Sequence, residues 1–136
     1  MKRYLRFRVA DFALAVDLTY VHRVVAMEEV TVQPDAYLWG GTRWLRADRL
    51  GPAPERGEHV VLLASSDFHL GWRSGRVEGL DEVAEGDLYP VPRGWLDRGV
   101  PWVTHLYFRE GGPVYVVNFS VIGPAVAKRG LPETVQ

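Results

Sequence analysis

Residues 37–50 read YLWGGTRWLRADRL, and the pair Gly40-Gly41 in their middle governs how the rest is read. Consecutive glycines accept the positive φ that a two-residue turn demands, so the stretch reads as a β-hairpin. Its second arm, RWLRADRL, alternates bulky and charged residues and stops at Gly51-Pro52. Trp44, Leu45 and Leu50 are apolar, whereas Arg43, Arg46, Asp48 and Arg49 are charged. Such an arm fits a basic strip for nucleic acid, a piece of an active site, or one wall of a barrel that docks on another protein. The surrounding pattern chooses among them.

Leu5, Phe7 and Val9 alternate with Tyr4, Arg6 and Arg8, the period of a half-buried strand. Ala10-Asp11 turns the chain, and Phe12, Leu14, Val16 and Leu18 carry a second strand. Leu18, Val21 and Val25, with Val24 beside them, then take helical spacing, which predicts one short helix near Thr19–Ala26 and no long helix elsewhere. GPAPERGE (51–58) is a Pro/Gly-rich connector. It divides a single domain, 1–136, into subdomains of about 8–52, with part of the C-terminal strand region, and about 57–112. HVVLLA and FHLGWRSGRVEGL follow as strands, then a long loop at 88–102 with two tryptophans. WVTHLYF and VYVVNFSVI form a last hairpin around REGG. The second of these is apolar on both faces, so it reads as a strand buried on both and among the best protected. The tail after Ala127 is polar and is expected to fray. Eight to ten short strands at near-regular spacing, without internal repeat or heptad, predict an all-β barrel or sandwich.

Composition narrows the function. The net charge of −1 gives no whole-protein pull toward nucleic acid or anionic lipid. Fourteen of the sixteen basic residues are Arg, the planar cation suited to interface ion pairs. There is no cysteine, which removes thiolate catalysis, disulfides and zinc–thiolate sites. Arg6, Arg8 and Asp11 interrupt the first apolar run, and no run approaches a membrane span, so a cytoplasmic protein without membrane insertion is expected. No phosphate-cradling loop or nucleophile elbow occurs, and His22, His59, His69 and His105 fall in four segments without ligand spacing. No catalytic residue, cofactor or metal is expected. Trp44 beside Arg43 and Arg46, and Trp72 beside Arg73, leave one alternative, a small barrel stacking single-stranded bases.

The order of motifs resembles the CheW-like family, the coupling proteins of bacterial chemotaxis arrays. YLRFRVADFALAVDLTYVHRVV is similar to the family's strand pair and V-x-E-I helix, with Val21 and Val24 at the apolar positions. TVQP leads to Pro34, and LWGGTRWLRADRLG fits the hairpin N-L-R-G-x-x-V-P-V-V-D-L, with Gly41 on the turn glycine and Asp48 on the Asp. HVVLLASSDFHLGWRSGRVEGLDEV carries Gly71, Val77, Gly79 and Val83 in place. LYPVP and REGGPVYVVNFSVI complete the order, which spans nearly the whole chain. The departures are Arg23 for the helix Glu, Gly40 for the hairpin Arg, Gly75 for an Asp, and a shorter Pro34–Gly41 connector.

The resemblance implies two packed five-stranded SH3-like barrels and a hydrophobic groove between them. It implies a non-enzymatic adaptor binding the regulatory domain of a CheA-type histidine kinase, a chemoreceptor-like protein, or both. Partner contact is expected at Val21, Arg23, Val24, Trp39, Trp95 and Trp102, because a short helix leaves apolar side chains over and Trp is a frequent interface anchor. Arg23 should repel a surface built to accept an acid.

Overall fold

The structure, a computed structural model, describes residues 1–50, 57–92 and 101–129. In chain order it contains β1 (Lys2–Val9), β2 (Phe12–Asp17), β3 (Val21–Ala26), β4 (Thr31–Val32), β5 (Ala36–Trp39) and β6 (Thr42–Arg46). Then come β7 (His59–Ala64), β8 (His69–Ser74), β9 (Arg76–Val83), β10 (Tyr89–Pro90), β11 (Val103–Arg109), β12 (Gly112–Val117) and α1 (Phe119–Arg129). The hairpin turn at Gly40-Gly41 has φ values of +60° and +75°, as expected for glycines at both central positions.

The strands form two sheets, ordered β10-β11-β12-β2-β1-β9 and β3-β7-β8-β6-β5-β4. Here they are sheet one and sheet two. Each has five longer strands, in keeping with the five expected per barrel, plus a two-residue strand at one edge, β10 or β4. Reading sheet two from β4 exposes a shared plan. In each sheet a hairpin, β11-β12 or β5-β6, joins a second hairpin, β1-β2 or β7-β8, through parallel pairing. The second hairpin then pairs with β9 or β3. Register fixes the equivalences. Tyr37 opposes Trp44 and Tyr107 opposes Val114, while Leu45 lies beside Leu70 and Tyr115 beside Leu14. Tyr37 therefore corresponds to Tyr107, Leu45 to Tyr115, and Phe68 to Phe12.

Burial follows the alternation of each strand. Tyr4, Ala13, Ala15, Tyr107, Val114 and Val116 fill the inside of barrel one. Val25, Tyr37, Trp44, Val60 and Leu62 fill barrel two. The opposite faces meet in a third and largest cluster that includes Phe7, Leu14, Leu63, Leu70, Trp72 and Trp102, closed by Phe119, Ile122 and Val126 of α1. The two barrels thus share one core between them.

Three expectations need correction. The helix near Thr19–Ala26 is a three-residue 3-10 turn, Leu18–Tyr20, followed by strand β3. A register shift between Val21 and Arg23 turns the pleat, so Val21 and Val24 both pack on the inter-barrel core. A β-bulge had imitated helical spacing. Second, VYVVNFSVI is strand only to Val117, and the longest helix among the described residues begins at Phe119. Asn118 caps it: its Oδ1 accepts from the Ser120 N–H at 3.0 Å, and its carbonyl accepts from Val121 and Ile122. Third, sheet membership cuts the chain elsewhere than at the 51–58 connector. Strands on both sides of it, β3–β8, share sheet two, while sheet one joins β1–β2 to β9–β12.

Candidate functional site

A buried polar unit anchors each barrel. In barrel two the Tyr37 hydroxyl donates to the Asp48 carboxylate, which also accepts from the Arg46 Nε and the Arg73 backbone N–H, both at 3.0 Å. The Arg46 guanidinium lies 5.0 Å from the Tyr37 ring centre. In barrel one the Tyr107 hydroxyl donates to Asp81 at 2.6 Å, and the Arg6 and Arg109 Nε atoms lie 3.1 and 3.4 Å from the same carboxylate. The Arg109 guanidinium lies 4.9 Å from the Tyr107 ring centre. Equivalent tyrosines are therefore held alike by carboxylates from different segments.

Burial, then the hydrogen bond to the neighbouring carboxylate, pushes both phenols well above the ordinary tyrosine range. Burial, then Asp17, pushes Tyr4 up as well. These groups favour the fold while protonated, and the unfolded chain releases the same protons near the ordinary value of about 10. Stability is thus fully present below about pH 10 and is lost as pH climbs above it toward the raised native values. In an alkaline titration, tyrosinate absorbance from Tyr37 and Tyr107, two of the six tyrosines, should appear only together with unfolding. Titration of all six in the folded state would contradict this.

The arginines of the opening stretch are tethered. Arg43 pairs with Asp35 and Arg46 with Asp48, and Arg43 holds the Asp35 carboxyl below its ordinary range. Arg3, Arg6, Arg8 and Arg109 are likewise paired with Glu82, Asp81, Glu78 and Asp81. Cations committed to carboxylates form no open phosphate-binding strip, and Trp44 and Trp72, the expected stacking platforms, are buried.

At one end of sheet two, exposed His22, Arg23 and His69 gather around tryptophan rings. Arg23 stands 5.5 Å from the centre of the half-buried Trp39 ring. His22 packs against Trp39 and Trp44 at 6.1 and 5.2 Å, and His69 meets Trp44 edge-on at 5.0 Å. The Trp44 Nε1 donates to the Trp39 backbone carbonyl at 3.2 Å, which orients the Trp44 ring at this end of the barrel. Of the expected contact residues, Arg23 and Trp39 come together here. Val21 and Val24 face the inter-barrel core. Trp102 is 2% exposed and packs edge-on against Trp72 at 5.3 Å, so it belongs to that core and not to a docking patch. Trp95 lies outside the described residues. His22, Trp44 and His69 were not singled out as contact residues. They sit on three strands, and only the sheet assembles them.

Among the described residues no three His, Asp or Glu side chains converge on a metal-sized site. Nor is any described helix long and apolar enough to cross a membrane.

Two curled six-stranded sheets, paired through one core and closed by a short helix, define a mainly β, twin-barrel fold of the CheW-like type. Among solved structures, the chain is similar to the scaffolding protein TtCheW from Thermoanaerobacter tengcongensis. The identity is 15% and the TM-score 0.67, covering 85% of this chain and 83% of that one. No family model and no curated protein matches the sequence. The likeness is one of fold.

Proposed function

We propose that this chain is a non-enzymatic signalling adaptor of chemosensory type. It binds the regulatory domain of a CheA-type histidine kinase, or a related signalling protein such as a chemoreceptor, in the cytoplasm. The observation carrying the reading is the twin-barrel fold, similar to that of a scaffolding protein over most of both chains. The exposed Arg23–Trp39 face supplies an anchor of the kind adaptors use, an aromatic ring with a guanidinium over it. Trp95 is a second anchor in this proposal. Neither nucleic acid nor membrane insertion has a part in it.

The test is titration calorimetry of the purified chain against the kinase regulatory domains and receptor tips encoded in its own genome. Trp39→Ala should weaken the native complex by about 2 kcal/mol, roughly 30-fold, with the thermal midpoint nearly unchanged. Arg23→Glu should weaken it as well, because a partner adapted to an Arg would then face a like charge. Absence of binding to every such domain would end the reading.

A further inference from the structure

The faces of sheets one and two that meet between the barrels are equivalent by register, and each carries a phenylalanine at one end, Phe68 and Phe12. On sheet two, Phe68 lies beneath Gly123 of α1, so close that a Cβ on that glycine would stand 2.8 Å from the ring. By register, the counterpart of Phe68 on sheet one is Phe12, which stands outside the cluster that α1 closes. Phe12 is 44% exposed and meets Tyr115 edge-on at 6.2 Å. Tyr89 and Phe108, 49% and 58% exposed, meet edge-on at 5.8 Å. Leu106 opposes both Tyr89 and Tyr115, and Pro113 opposes Phe108, so these side chains share a face across β10, β11, β12 and β2. The same face continues through Leu14, Val16 and Val117 into the inter-barrel core. A contiguous exposed strip of this kind marks an interaction site, where scattered apolar residues would not.

Charge tells what it would accept. Asp11 and Glu110 occupy the two adjoining hairpin turns at one end of the strip, and Asp87 precedes Tyr89 at its far edge. All three are exposed, and none of their carboxylates forms an ion pair among the described residues. Arg8 and Arg109 also reach this end, donating to the Asp11 and Phe108 carbonyls, but they are paired with Glu78 and Asp81, so the charge left over at the rim is acidic, unlike that of the Arg23–Trp39 face.

We propose that this strip is a second docking site, and that its occupant is an amphipathic α-helix of a partner protein. That helix sets a small residue over Phe12, as Gly123 sits over Phe68, and carries Lys or Arg beside Asp11, Glu110 and Asp87. The inference rests on strand register and charge, so it stands or falls apart from the kinase reading.

The probes are a designed amphipathic peptide of Leu, Ala and Lys, and its twin with Glu at every Lys. Each is titrated into the isotope-labelled full chain and followed by NMR. The Lys peptide should shift the amides of Phe12, Tyr89, Phe108 and Tyr115 saturably, and the Glu twin should bind at least about tenfold more weakly. The double variant Phe12→Ser/Phe108→Ser should lose about tenfold or more in affinity with its thermal midpoint retained. Asp11→Lys/Glu110→Lys, which leaves the apolar strip intact, should reverse the preference between the twins. Equal affinity for the twins, shifts gathered on the Arg23–Trp39 face, or undiminished binding by a folded double variant would overturn the proposal. So would sedimentation in which a second copy of the chain closes the strip.

Discussion

Trp72→Ala is expected to cost about 3–5 kcal/mol, the upper range for a buried aromatic truncated to Ala. Trp72 is fully buried on β8 of sheet two, yet its ring packs edge-on against Phe7 of sheet one at 5.9 Å and against Trp102 at 5.3 Å. It therefore crosses the seam between the barrels. The cavity it would leave is walled by both sheets, and neither can collapse into it without moving the other. Chemical denaturation should give one transition, displaced to lower denaturant with little change in slope, because the barrels share the core being emptied. Two separated transitions, or a loss under about 1 kcal/mol, would contradict a shared core.

The second large effect is expected at Asp48→Ala. The Asp48 side chain has no exposed surface and serves three donors: the Tyr37 hydroxyl, the Arg46 Nε and the Arg73 backbone N–H. Removing it strands a buried phenol and a strand amide, and leaves Arg46 without its carboxylate. Breaking a buried pair from one side costs about 3–5 kcal/mol. Asp81→Ala should cost less, about 1–3 kcal/mol. Its side chain keeps 8% of its surface in water where that of Asp48 keeps none, and Arg109, 34% exposed, can turn toward water. Paired thermal melts of the two variants measure the difference, and an equal or reversed order would contradict the burial argument.

The strands of this protein could be read from sequence because their side chains alternate and their turns use glycine where φ is positive. Gly40-Gly41 and the barrel class follow from that alone. Two elements could not be read so. At β3 a bulge after Val21 put Val21 and Val24 on one face, and a spacing of three then meant a kinked strand and not a helix. At α1 the apolar positions Phe119, Ile122 and Val126 do have helical spacing, but Gly123-Pro124 between them reads as a break. That glycine is there for Phe68. The shared plan of the two sheets was hidden for another reason: equivalent positions carry different residues, such as Leu45 and Tyr115. The candidate site was partly legible, since Arg23 and Trp39 stood out as residue types. Their meeting depends on pairings between strands far apart in the chain.

The division of the sheets also sets a timetable for synthesis. Sheet two is built from consecutive strands and can close once Ser74 has left the ribosome. The β1-β2 hairpin must wait for β9 and β12; Arg3 and Glu82, for example, meet across 79 residues. At about 5–20 residues per second, the roughly 40 further residues needed take about 2–8 s. During that interval Phe7, Leu14 and Val16 lack most of the partners that bury them, and a chaperone or a neighbouring nascent chain can reach them. The first two strands made are the last to be secured.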